Sequence, residues 1–358
     1  MNGQSDNATP GAGNRSPKRW IFHGLRFLVT FLAIYFLFAT DRLKWSEFRL
    51  AAGGRRDGLA AVACLYGAMF LTYVRHWVLL RASGETVPLV SAVKAGLVSW
   101  FLNATLLGGL GFASGDAVRV GWLLPSVKSR SSLVSATVID RVMGFCALCV
   151  VALAAVFGVR VAVAHGGQYS GALTAAVVSA AALPIAVALF GRVLRFLNRG
   201  EGWKCLLREK VPFGGALARL GEAILRVHAK PVELGKALVL GVLSQTLLAV
   251  CVFLVSRALV LEVQPHFREV FFAAPLTGVI GVMPLPANGL GVGEAAFDTL
   301  LKLARSETEP LLQGGAMIYL AFRVLTLLSG ILGLPFFLRG RDRLVGVSDN
   351  PAISDSDA

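Results

Sequence analysis

The chain of 358 residues is 55% hydrophobic and only 16% charged, with a formal net charge of +14 and a mean hydropathy of +0.67. That composition excludes a soluble globular protein and reads as a polytopic membrane protein. The positive excess sits in loops beside apolar segments, the form that positive-inside topology takes, and no basic stripe interleaved with aromatics points to nucleic acid.

Residues 1–16 are polar and rich in Gly, Asn and Ser, and are predicted to be a disordered tail ahead of one integral membrane domain over residues 17–343. The first apolar run follows this tail, is too long for a signal-peptide core and has no small-residue cleavage site. Lys18, Arg19 and Arg26 precede or open that run, Trp20–Thr40, which is predicted to be the first span with its N-terminus cytoplasmic. Asp41–Gly58 mixes five basic with three acidic residues, an awkward composition for a loop on the far side, and Trp45 and Phe48 suggest a short helix lying in the interface. A second span covers Leu59 to Leu80, with Arg75 and His76 expected to snorkel outward from its end.

After an Arg81–Pro88 linker, Val90–Leu107 and Asp116–Leu124 form the arms of a first short hairpin, and Lys128 and Arg130 mark a cytoplasmic turn. The third span is Leu133–Val159 and the fourth Ala172–Phe190, joined by a short loop at His165–Gln168. Nine Lys and Arg residues then crowd Gly191–Gly235, which places that loop in the cytoplasm. Within it Gly214–His228 has apolar residues at helical spacing, either an amphipathic helix on the inner leaflet or a soluble helix with a solvated basic face. The fifth span is Ala237–Leu261, a second hairpin lies within Val270–Leu303, and the sixth span is Leu311–Leu338. Arg339, Arg341 and Arg343 hold the C-terminus in the cytoplasm, and residues 344–358 form a second disordered tail.

The stretch around which this is organised is Met283–Phe297, where Pro284, Pro286, Asn288-Gly289, Gly291 and Gly293 break an apolar region and Glu294 follows at once. Each freed backbone group in hydrocarbon costs several kcal/mol unless protein or a wet cavity satisfies it, so such a break lines something. Glu294 is expected to open the second half-helix, where the positive end of the macrodipole favours a carboxylate. The pattern recurs: Gly109-Leu110-Gly111 then Gly115-Asp116-Ala117 parallels Gly289-Leu290-Gly291 then Gly293-Glu294-Ala295. Arg141 lies 25 residues beyond Asp116 and Arg323 lies 29 beyond Glu294, each inside an apolar segment. The predicted fold is therefore all-α: about six full transmembrane helices plus two re-entrant helical hairpins in an inverted repeat, with repeat-like halves at residues 90–160 and 266–338.

A charge near mid-membrane costs at least about 2.5–3.5 kcal/mol, so Arg141 and Arg323 face either a partner or a wet cavity. They bind an anionic headgroup, or they merely pin helices through Asp116 and Glu294. Asp140, next to Arg141 but on another helix face, is a partner for Arg119 or Lys128, and Asp116 and Arg119 are close enough for a local pair. Asn103 and Asn288 are candidate polar lining, Asn288 also being a turn residue before Gly289. The candidate substrate-binding set is thus Asp116, Arg141, Glu294, Arg323, Asn103 and Asn288, with Gly109, Gly111, Gly115, Pro286, Gly289, Gly291 and Gly293 as hairpin turns. Cys146 and Cys149 form a CxxC inside an apolar run, as buried hydrophobes, and the five histidines lack metal-ligand spacing. Neither a cofactor nor an enzymatic activity is expected, since no nucleophile, phosphate-loop or metalloprotease motif occurs.

Gly115-Asp116-Ala117 with Asp140-Arg141, and Pro286 to Ala296 with Arg323, resemble the membrane domain of lysylphosphatidylglycerol synthases and its stand-alone flippase-like relatives, over about Trp20 to Leu338. The first motif has Asp where that family more often has Glu. The resemblance implies movement of a lipid headgroup through a cavity between the hairpins of a bacterial inner-membrane protein. No aminoacyl-transferase domain is expected after the sixth span, so lysyl transfer is not implied. Two functions of different class follow: a flippase or scramblase-like transporter of an anionic, phosphate-bearing lipid, or a non-transporting accessory that presents lipid to an envelope-biosynthesis enzyme. The expected partners are membrane lipids, and for the second reading that enzyme. An ion-coupled transporter of small solutes is a third.

Overall fold

The computed structural model describes residues 51, 54–103, 112–159, 222, 224–282, 290–305 and 314–340. The expected first span Trp20–Thr40, the fourth span Ala172–Phe190, most of Asp41–Gly58 and of the basic loop Gly191–Gly235, both tails, and the candidate residues Gly109, Gly111, Pro286, Asn288 and Gly289 lie outside the described residues.

The described chain is helical, with no strand. Its elements are α1 (Gly54–Ala82), α2 (Leu89–Leu102), α3 (Phe112–Leu123), α4 (Arg130–Val159), α5 (Pro231–Ala258), α6 (Phe267–Gly281), α7 (Val292–Leu303), α8 (Gly315–Ser329) and α9 (Leu334–Gly340). Short 3₁₀ turns follow α3 at Leu124–Ser126 and join α8 to α9 at Gly330–Gly333. Among the described residues, four stretches are long and apolar enough to cross a membrane: α1, Arg130–Phe157 of α4, α5, and Gly315–Gly340 through α8 and α9. They correspond to the second, third, fifth and sixth expected spans. α2, α3, α6 and α7 have only 12–15 residues each, about 18–22 Å at 1.5 Å per residue, too short to cross about 30 Å of hydrocarbon.

Local chemistry accounts for several boundaries. α1 ends in a Schellman motif: Gly84 has φ +95°, its N–H donates to Arg81 O, and the Glu85 N–H reaches back to Leu80 O at 3.1 Å. Glu85 is thereby delivered, buried, to the start of α4, where its carboxylate accepts the backbone N–H groups of Lys128 and Ser129 at 2.8 and 3.1 Å. A carboxylate at that end also suits the dipole of α4. Pro231 opens α5 at a position where its missing N–H costs nothing. α5 therefore begins inside the stretch expected to be loop, because Pro231 and Glu233 are good first-turn residues.

α1 and α5 lie antiparallel along their whole length, about 42 Å. At one end the Ala51 N–H donates to Ala258 O at 3.0 Å, and at the other Lys230 Nζ donates to Ala82 O at 2.9 Å. Ala61, Leu65, Met69, Cys251, Val252 and Val255 fill the seam, and Phe297, Leu301, Met317 and Ile318 complete that core from α7 and α8. A second core gathers Leu79, Val98, Trp122, Leu123, Leu133 and Ile139 around α2 and α3. Within a membrane such packing holds helices by close contact rather than by water exclusion, so gaps and clashes decide stability.

The two short pairs sit at opposite ends of the α8–α9 axis. Gly315, which opens α8, lies against Asp298 of α7, whereas Gly333 abuts Leu97 and Phe101 of α2 and Gly340 abuts the Trp122 ring at the end of α3. Toward the middle, Trp100 Nε1 of α2 donates to Thr326 O at 3.1 Å, three residues from Arg323.

Candidate functional site

Arg75 and His76 come from α1, Asp116 and Arg119 from α3, and Asp140 and Arg141 from α4. Adjacent residues of a helix are about 100° apart around its axis. Asp140 consequently turns toward α1 while Arg141 turns toward α3. The result is an alternating row of charges across three helices. Arg75 Nε donates to Asp140 Oδ1 at 2.7 Å, and both terminal nitrogens of Arg119 donate to Asp140 Oδ2 at 3.3 Å. Arg119 Nη2 also donates to Asp116 Oδ1 at 2.9 Å, and Arg141 binds Asp116 with two bonds, Nη2 to Oδ1 at 2.7 Å and Nε to Oδ2.

Three guanidinium groups against two carboxylates leave one positive charge in this row. Burial grades along it: the Asp140 side chain is 2% exposed and that of Arg141 47%. The row thus has a buried anchor at Arg75 and a half-open cation at Arg141. Arg119 Nε and both ring nitrogens of His76 are buried without a hydrogen-bond partner, His76 Nδ1 standing 3.9 Å from Asp140 Oδ2. Gly144 and Gly241 make room for the deep end, since a Cβ at Gly144 would stand 2.9 Å from Arg75 Nη2 and one at Gly241 3.2 Å from Nη1.

The second site is smaller. Glu294 sits fully buried in the first turn of α7, as expected, where Oε2 accepts the Gly291 N–H at 2.6 Å. Its Oε1 lies 3.2 Å from Arg323 Nε, an ion pair without hydrogen-bond alignment. The Arg323 guanidinium also lies over the Tyr319 ring, 5.3 Å from its centre, and Tyr319 stacks on Phe297. Gly291 has φ +86°, a positive value that glycine adopts without steric cost, at the turn into α7. At the outer end of the same pair, buried Glu269 of α6 meets Arg305 at 3.5 Å.

The pairs Asp116–Arg119, Asp116–Arg141 and Glu294–Arg323 all form, and Asp140 takes Arg119 rather than Lys128, whose backbone is held by Glu85 instead. Asn103 caps the end of α2 and lies beside Gly115. Two expectations are corrected. Gly115 and Gly293 are not turn residues but lie inside the first turns of α3 and α7, where their bareness serves close approach: Gly115 faces Ser99 and Asn103, and Gly293 faces Arg323 and Tyr319. Arg75 and His76 do not snorkel: Arg75 is bonded to Asp140 and 5% exposed, and His76 beside it is 1% exposed. Sequence reasoning does not find Arg75, His76, Glu269 and Arg305 as site residues; the signal for Arg75 is Asp140 itself, an acid inside an apolar run whose neighbour Arg141 lies on another helix face, so that a distant cation must meet it.

The family model described as lysylphosphatidylglycerol synthase TM region matches residues 24–333. No curated protein and no solved structure matches the chain.

Proposed function

Because the chain belongs to the lysylphosphatidylglycerol synthase transmembrane-region family, a membrane domain associated with lipid modification, we propose that it moves an anionic, phosphate-bearing lipid between leaflets of a bacterial inner membrane. The observation that carries this reading is the row Arg75–Asp140–Arg119–Asp116–Arg141, net positive, anchored at its deep end and half-open at Arg141. A phosphate entering beside Arg141 gains charge-assisted hydrogen bonds, while Asp116 retains Arg119 and the surplus charge of the row is neutralised. Asp116 and Asp140 keep the unliganded row tolerable at a depth where an isolated charge costs at least about 2.5–3.5 kcal/mol.

In this account α2–α3 and α6–α7 are re-entrant hairpins entering from opposite faces, within about six full spans, and both termini are cytoplasmic. Their lengths and their contacts at opposite ends of the α8–α9 axis support this arrangement. Arg323 and Glu294 form the counterpart site on the second hairpin. The protein acts without a cofactor and catalyses no covalent step. The test is reconstitution of the purified protein into phosphatidylcholine vesicles carrying a fluorescent phosphatidylglycerol, with a membrane-impermeant quencher added outside. Loss of more fluorescence than the outer leaflet holds supports transport. Loss of the outer-leaflet signal alone leaves the accessory reading in its place.

A further inference from the structure

Away from the charge row, the C-terminal end of α1 and the first turns of α5 enclose a cavity of about 420 Å³ lined by Trp77, Arg81, Lys230, Glu233 and Lys236, with Val78 and Ala82 behind them. Three of these residues are cationic and one is acidic, so the cavity carries two positive charges. Each polar group is placed. Trp77 Nε1 donates to Val87 O at 2.9 Å, which fixes the indole, and the Arg81 guanidinium lies over that ring, 5.0 Å from its centre. Lys230 Nζ is held by Ala82 O at 2.9 Å, and Lys236 pairs with Glu233 at 2.9 Å while staying more than half exposed. Arg81 has no carboxylate partner among the described residues. α5 begins here with no side-chain cap, adding the positive end of its dipole.

We propose that this cavity binds the phosphate of an anionic phospholipid headgroup from the leaflet that borders it, a resident lipid distinct from transported cargo. Arg81 and Lys236 take the phosphate oxygens, Lys230 contributes charge from its fixed position, and Trp77 sits at headgroup depth, where an indole prefers to lie. A bound lipid bridges α1 and α5 at the same end that the Lys230–Ala82 bond already ties.

The test reads binding rather than transport, so this site and the function proposed above can fail separately. The full protein in phosphatidylcholine nanodiscs is irradiated with a photoactivatable phosphatidylglycerol, and crosslinked peptides are mapped. Crosslinks are expected in the 77–82 and 230–236 segments. Arg81→Gln with Lys236→Gln should lower them about tenfold, the worth of roughly one charge-assisted hydrogen bond. Both side chains are exposed, so folding is not at stake. Equal yield in the double variant overturns the proposal. Displacement of the probe by millimolar inorganic phosphate also overturns it, since the cavity would then be a site for the free ion.

Discussion

Arg75 and Asp140 are bonded at 2.7 Å across 65 residues of sequence, with both side chains almost wholly buried. Asp140 is also the acid that Arg119 shares, so Asp140→Asn leaves three guanidinium groups facing one carboxylate. Removing one member of a buried pair costs about 3–5 kcal/mol. Arg141→Gln removes a side chain that is 47% exposed and is expected to cost only about 0–1 kcal/mol. Melting in detergent should therefore show a large loss for Asp140→Asn and a small one for Arg141→Gln. Equal losses would mean that the row is not graded in burial.

Gly144→Ala places a methyl group 2.9 Å from Arg75 Nη2. Overpacking of this kind costs about 1–3 kcal/mol and should push Arg75 off Asp140. Gly58→Ala, on the same helix as Arg75 but with nothing within 4 Å of the added carbon, should be neutral or stabilising by about 0.5–1 kcal/mol. Thermal melts of the two variants side by side check the contrast.

Glu294 has two tasks, closing the N-terminus of α7 through Gly291 N–H and facing Arg323. Glu294→Gln keeps an acceptor for the first and should melt above Glu294→Ala by about 0.5–2 kcal/mol, the usual worth of a helix cap. The exchange Glu294→Arg with Arg323→Glu restores opposite charges but supplies no acceptor for Gly291, so it should not recover wild-type stability.

The antiparallel packing of α1 and α5 puts Ala82 beside Lys230 and Ala51 beside Ala258. In a cysteine-free background, single cysteines near Gly200 and at Ser83 should resist an impermeant thiol reagent in intact cells, while one at Leu261 should react. Reaction near Gly200 would reverse the assigned faces of both hairpins.

The pairs of Asp116 with Arg119 and Arg141 and of Glu294 with Arg323 were legible in the sequence, because charges in apolar surroundings need partners, whereas most of the glycine-rich breaks before α3 and α7 lie outside the described residues. The seam between α1 and α4 was not legible. Arg75 lies seven residues before the end of its helix, a distance compatible with snorkelling, and only the packing of α4 brings Asp140 to it. Nothing in the sequence marks Gly144 and Gly241 either, since their bareness matters only once Arg75 occupies the space they leave. Apolar composition alone gives the sixth span Leu311–Leu338 no interruption, but its α-helix tightens into a 3₁₀ turn at Gly330–Gly333 where Gly333 meets the backbone of Leu97.

The central claim is that Arg141 meets the lipid phosphate. The direct measurement is the rate of fluorescent phosphatidylglycerol translocation in vesicles, per folded molecule, for wild type and Arg141→Gln. The account predicts a fall of about tenfold or more, the loss of at least one charge-assisted hydrogen bond, with the melting temperature nearly unchanged. Wild-type translocation by a normally folded Arg141→Gln protein would contradict it.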